Sequence, residues 1–138
     1  MTMPKRILQA AAIPILNNRI CLVTSTSGKR WVIPKGCLEP GKTRSEIALQ
    51  EAWEEAGLRG FLNPDPVGRF SYEKLGSTHQ VTVFLMEVTA VAKDWPERHL
   101  RRRSWLRLAR ALARITDDGL RGLLEAVFAE QGLDQALR

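Results

Sequence analysis

Cysteine, histidine and long apolar runs are all scarce in this chain. Only two cysteines occur in 138 residues, Cys21 and Cys37, too few for a disulfide framework, so a reducing cytoplasmic setting is the simplest expectation. His79 and His99 have no partner spacing that supports a zinc site, and both are expected on the surface. No stretch approaches the roughly 18 consecutive apolar residues of a membrane span. The start, MPKRILQAAAIPIL, resembles a signal peptide in having a basic pair before an apolar run. Gln9 and Pro14 interrupt it, and NNRICLV follows in place of a small-residue cleavage site, so it reads as a strand. Acidic residues are in deficit as well, 15 against 21 Lys and Arg, leaving a net charge of +6. That balance favours an anionic partner: a phosphorylated small molecule, nucleic acid or an acidic membrane surface.

What is present belongs to a globular chain. Hydrophobic residues make up 44% and charged residues 26%, and the length suits a single domain over residues 1–138 able to bury a real core. Residues 7–16 and 19–25 read as a β-hairpin around Asn17 and Asn18, and RWVIP as a short strand ending at Pro34. A Gly/Pro-rich loop follows. Thr43 with Glu46 three residues on forms a capping-box signature, and Gly57 suits a C-terminal cap, so a helix should lie between them. Ala48, Leu49, Ala52, Trp53 and Ala56 form its apolar stripe. After NPDP, VGRFSYEK and HQVTVFLMEVTAV read as strands, the second apolar on both faces and central; SWLRL reads as the last strand. A final helix carries Leu120, Leu123, Leu124, Val127 and Phe128 on one stripe, with Asp117 and Asp118 at its positive end. The order predicts an α+β fold, an α/β/α sandwich in which helices pack on the faces of a mixed sheet.

The helix in PKGCLEPGKTRSEIALQEAWEEAGL raises a question of charge. Glu51, Glu54 and Glu55 stand at i, i+3 and i+4, so their carboxylates share one side. Each like-charge pair costs roughly 0.2–0.5 kcal/mol, which an exposed acidic face tolerates. The glycine-rich loop ahead of them changes the balance, because it allows a ligand close to the main chain. Several hard oxygen donors beside exposed carbonyls suit Mg²⁺ or Mn²⁺, which would cancel the repulsion and bridge to phosphates.

These residues resemble the Nudix hydrolases, whose signature runs Gly, five residues, Glu, seven residues, Arg-Glu-hydrophobic-x-Glu-Glu-x-Gly-hydrophobic. Here the frame spans 36–58: Gly36, Glu51, Ala52, Glu54, Glu55, Gly57 and Leu58 fall in register. Two positions depart from it, Lys42 in place of the first glutamate and Gln50 in place of the arginine. In the family these two side chains face each other as an ion pair. Lys42 opposite an arginine would clash, so Gln50 reads as a compensating exchange in loop support, with Thr43's capping box and a Lys42–Glu46 pair as replacement support.

The resemblance implies Mg²⁺-dependent cleavage of a pyrophosphate linkage, with Mn²⁺ as the alternative metal. Glu51, Glu54 and Glu55 would hold the cation, together with the carbonyl of Gly36 or Lys35. Glu51 and Glu54 are the catalytic candidates; Glu54 is the chosen general base, with Glu73 and Glu87 as alternatives. Candidate phosphate-binding residues are Arg30, Lys35, Lys42, Arg101, Arg102 and Arg103, whereas Arg107, Arg110 and Arg114 read as a solvated basic face. WVIPKG and DWPERHLRRRSW look most like the branch similar to diphosphoinositol polyphosphate phosphohydrolases, which implies a diphosphoinositol polyphosphate or dinucleoside polyphosphate substrate. Other readings are a nucleoside triphosphate or RNA 5′-end pyrophosphohydrolase and a non-catalytic phosphate-binding regulatory module. A small polyphosphorylated partner is favoured over nucleic acid, and a homodimer stays open.

Overall fold

The computed structural model describes residues 5–129 and 132–137. β1 (Arg6–Leu16) and β2 (Arg19–Thr24) form the expected hairpin. Asn17 and Asn18 both take positive φ, 51° and 59°, the turn whose twist matches a two-residue connection. β3 (Trp31–Val32) covers only the start of RWVIP. The chain then forms β4 (Lys35–Cys37), which pairs antiparallel with β1, where the sequence suggested only loop. α1 (Arg44–Ala56) leads into β5 (Leu58–Leu62), followed by β6 (Gly68–Lys74), β7 (Ser77–Val91) and β8 (Arg103–Leu106). Three short helices follow: α2 (Leu108–Arg114), α3 (Asp118–Phe128) and α4 (Leu133–Ala136).

The sheet runs β3-β2-β1-β7-β5, with β4 beside β1, β6 beside β7 and β8 beside β2. β1 and β7 are parallel and the other pairs antiparallel, so the sheet is mixed. Alternation along the two central strands produces two cores. Ala11, Ile13 and Ile15 with Val81, Val83 and Leu85 face α2, α3 and α4. Ala10 and Ala12 with Phe84, Met86 and Val88 face α1. Because both faces are covered, these strands read as continuous apolar runs rather than alternating ones. Small side chains on both sides of the second core, Ala10 and Ala12 under Ala48, Ala52 and Ala56, let α1 lie close to the sheet.

Several local expectations change. The inner face of α1 is Ile47, Ala48, Ala52, Glu55 and Ala56; Trp53 leaves it and lies under the Arg59 guanidinium, 4.0 Å from the ring centroid. β5 was not legible because Gly60 weakens its strand pattern. That glycine is required, since a Cβ there would sit 2.0 Å from the Glu87 carbonyl oxygen at a bulge. The strand in SWLRL stops at Leu106, and α2 begins at Leu108. His79 is not a surface residue: it is 8% exposed and stacks on Tyr72 with centroids 4.6 Å apart.

Candidate active site

α1 is held at both ends. Thr43 accepts a bond from the Glu46 N–H at 3.1 Å while the Glu46 carboxylate accepts from the Thr43 N–H at 3.0 Å, closing the capping box. At the other end Gly57 adopts φ 68° and donates to the Trp53 carbonyl at 2.9 Å. The next three carbonyls would be orphans of the helix terminus. The connection from β7 to β8, together with the first residue of β8, meets all three. The Glu97 N–H donates to Glu54 at 3.0 Å, Trp95 Nε1 to Glu55 at 3.0 Å, and Arg103 Nη1 to Ala56 at 2.7 Å. Arg103 Nη2 also donates to the Ala92 carbonyl at 3.0 Å, and its guanidinium lies 4.1 Å from the Trp95 ring centroid. A positive charge at the negative end of α1 is favourable as well.

The loop before α1 is supported by Lys42 and Gln50, which the sequence frame set opposite each other, and by Glu39, which it did not anticipate. Lys42 Nζ donates to Gln50 Oε1, Gln50 Nε2 donates to Glu39 Oε2 at 2.9 Å, and Lys42 lies 3.8 Å from the same Glu39 carboxylate. Lys42 therefore bonds Gln50 and forms its ion pair with Glu39, while Glu46 feels the Lys42 charge without a close ion pair to it. The acid missing from position 42 reappears three residues earlier.

The carboxylates gather where α1 passes β4. Gly36 is buried, and a Cβ on it would come within 1.9 Å of Glu51 Oε1, so only glycine leaves this strand open to the carboxylate. Burial raises Glu51 to about 8, helped by the charge of Glu55 and a hydrogen bond with Glu54. Glu55 does not lie on an outer acidic face. It is 6% exposed, and burial raises it to about 7 even against the pull of Arg101 and Lys35. Its Oε2 lies 3.5 Å from Arg101 Nη2, and its Oε1 accepts the Lys35 N–H at 3.3 Å.

Sequence reasoning assigned no role to a fourth carboxylate, Glu97. Its negative charge acts on both Glu51 and Glu55, and it binds Arg101 Nε at 2.8 Å. The four-residue spacing of Glu97 and Arg101 was the available signal. Glu73 and Glu87 are both exposed; Glu73 accepts from Thr78 at 2.6 Å, and neither is among the charges acting on Glu51 or Glu55.

The donor set fits a hard divalent cation. Two carboxyls sharing a hydrogen bond, crowded by two more and packed over a bare glycine backbone, are an oxygen-rich cradle that one proton satisfies poorly. Among the described residues, three such groups do not converge on one point as they stand, because Glu55 is drawn toward Arg101 and Lys35.

Beside the carboxylates a chamber of about 330 Å³ opens on the face toward α3. Ile33, Phe70, Tyr72 and Leu120 line it with Ser25 and Ser27, and Arg30, Lys35, Lys74 and Arg101 bring positive charge to it. Burial lowers the Lys35 ammonium from its ordinary value, against the opposing pull of Glu55. Three of the six candidate phosphate-binding residues, Arg30, Lys35 and Arg101, thus come together. Lys42 supports the loop, Arg102 is exposed with its guanidinium 5.6 Å from the Trp31 ring, and Arg103 is committed to backbone carbonyls.

Sheet, helices and acidic cradle together define an α+β sandwich protein built around a capped, glutamate-bearing helix. Residues 6–127 match the family model of the NUDIX domain, and the chain belongs to the Nudix family. It is 31% identical over 127 residues to Nudix hydrolase 13, mitochondrial, of Arabidopsis thaliana, covering 83% of this chain and 63% of that one. It is also 31% identical over 98 residues to mouse diphosphoinositol polyphosphate phosphohydrolase 3-alpha, covering 69% and 58%. The chain spans about three-fifths of the length of these curated relatives. The crystal structure of Caenorhabditis elegans Ap4A hydrolase shares the fold, with TM-score 0.72 at 22% identity, covering 89% of this chain and 96% of that one. Among the described residues no helix is long and apolar enough to cross a membrane.

Proposed function

We propose that this protein hydrolyses a pyrophosphate linkage in a polyphosphorylated small molecule, a dinucleoside polyphosphate or a diphosphoinositol polyphosphate, with Mg²⁺ or Mn²⁺. The observation that carries the reading is the contact of Glu55, from the α1 glutamates, with Arg101 and Lys35, which also line a chamber where Arg30 and Lys74 outweigh the one acid, Asp117. Glu51, Glu54 and Glu55, with the carbonyl of Gly36 or Lys35, would hold the cation. When bound, it neutralises phosphate oxygens and acidifies water. Lys35, Arg30 and Arg101 grip the phosphates and fix the substrate relative to the carboxylates. Glu54 serves as general base; it hydrogen-bonds Glu51, and none of the ion pairs among the described residues engages it. Arg103 acts on the reaction only through α1. The two unpaired cysteines suit a reducing, cytoplasmic setting.

The names of the mouse and nematode relatives support this substrate range, and the chamber's cations support a phosphate-dense ligand. The test is turnover with Mg²⁺ on diadenosine polyphosphates, diphosphoinositol polyphosphates, nucleoside triphosphates and triphosphorylated RNA. Loss of turnover in Glu54→Gln and Glu55→Gln is expected. Turnover surviving both substitutions refutes the site, turnover confined to RNA or nucleoside triphosphates replaces the substrate, and no turnover at all leaves a binding module.

A further inference from the structure

Arg101 belongs to both charge sets. Its side chain is 11% exposed, with Nη2 at 3.5 Å from Glu55, Nε at 2.8 Å from Glu97 and Nη1 donating to the Thr24 carbonyl at 3.0 Å. It also lines the chamber beside Arg30, Lys35 and Lys74. Its backbone neighbour is pinned: the Arg102 N–H donates to Thr24 Oγ1 at 2.9 Å, and the Thr24 N–H donates to the Arg102 carbonyl at 3.0 Å. The main chain here is anchored to the end of β2; the guanidinium is held by the Thr24 carbonyl and by two carboxylates, and of these a stronger cation would claim the Glu55 carboxylate.

We infer that Arg101 is the resident counter-ion of the carboxylate cluster, displaced from Glu55 when a divalent cation binds and thereby freed to grip substrate phosphate in the adjoining chamber. This rests on the proposed function and adds to it a coupling between the two halves of the site. A guanidinium beside Glu55 and Glu97 occupies charge that the metal needs, so the two cations compete. Once the metal has taken that charge, Arg101 and the metal repel each other unless an anion lies between them. A phosphate in the chamber supplies that anion. Metal therefore strengthens phosphate binding, and by reciprocity phosphate strengthens metal binding. Arg101 is thus both competitor and clamp, which neither a purely structural arginine nor a simple substrate ligand would be.

Competition predicts a sign that damage to the fold does not. In the substrate-free protein, titrated with Mn²⁺ alone and followed by the electron paramagnetic resonance of free Mn²⁺, Arg101→Gln binds Mn²⁺ about fivefold to tenfold more tightly than wild type. Arg101→Met, which keeps the apolar stem, does the same, and Arg101→Lys, which keeps the charge, stays within about twofold of wild type. The Gln and Met variants also raise KM about tenfold for whichever substrate the wild type turns over. Equal or weaker Mn²⁺ binding in both neutral variants, with native-like melting, overturns the inference and leaves Arg101 a structural residue. Absence of Mn²⁺ binding in the wild type itself overturns instead the carboxylate site on which the inference stands.

Discussion

Gly36→Ala separates function from folding at a single atom. A Cβ added to Gly36 would lie 1.9 Å from Glu51 Oε1 and 2.5 Å from its carboxyl carbon, where ordinary contact begins near 3.4 Å. The oxygen must therefore retreat by about 1.5 Å, the difference between 3.4 and 1.9 Å. The three nearest atoms, Cγ at 2.7 Å among them, all belong to the Glu51 side chain, so that side chain must swing to another rotamer while no backbone atom is among these three. Gly36 also has no positive φ to lose, and it lies in a strand pair opposite Ala10. Replacing a strand glycine removes unfolded-state freedom worth roughly 0.5–1 kcal/mol, and moving Glu51 relieves its repulsion with Glu55. Melting should shift by no more than about 4 °C in either direction. Activity should not survive so well: a misplacement of about 1 Å in a reacting group costs on the order of 100-fold, so kcat should fall by about that factor. Calorimetry and steady-state kinetics on the same preparation decide it. Near-normal turnover in a folded Gly36→Ala protein would refute the placement of Glu51 in the site. Gly57→Ala is the contrast, since there φ is 68° and the Trp95 ring lies 2.9 Å from the new Cβ, so stability itself should fall.

Three further outcomes follow from the geometry. Arg103→Lys cannot reach both the Ala56 and Ala92 carbonyls, and losing one charge-assisted bond should cost about 1.5–3 kcal/mol by chemical denaturation; kcat should drop with KM nearly unchanged, whereas a raised KM would make Arg103 a substrate ligand. Lys42→Glu sets like charges together at Glu39 and should lower turnover, while adding Gln50→Arg should restore it; the double variant failing to recover would remove the loop-support role. In the metal-free protein Glu51 and Glu55 titrate near 8 and 7 in the folded state, above the ordinary value of 4.5. The folded state therefore holds more protons than the unfolded state between those values, so stability is greatest at the acid end of this range and declines as pH rises from about 4.5 to 8. Denaturation midpoints across that range, with and without Mg²⁺, check this; Mg²⁺ should flatten the decline.

Local chemistry made much of the architecture legible. The Asn17–Asn18 turn, the Thr43–Glu46 box and the Gly57 cap depend on a few adjacent residues, and each forms as its own sequence dictates. The spacing of Gly36, Glu51, Glu54 and Glu55 was readable for the same reason, since helical periodicity alone places three carboxylates on one side. Beyond that spacing, their environment depended on distant chain. Whether Glu55 faces water or protein is decided by β4, whose Lys35 is 20 residues away along the chain, and by the connection to β8, whose Trp95 is 40 residues away. Arg101, Arg102 and Arg103 look alike as adjacent basic residues, yet one enters the carboxylates, one faces solvent and one caps a helix. Composition and periodicity thus determined that this chain makes a capped acidic helix on a mixed sheet with an excess of positive charge. Only the tertiary structure decided which cations meet which anions, because ion pairing and burial are set by distances between segments that the order of residues does not contain.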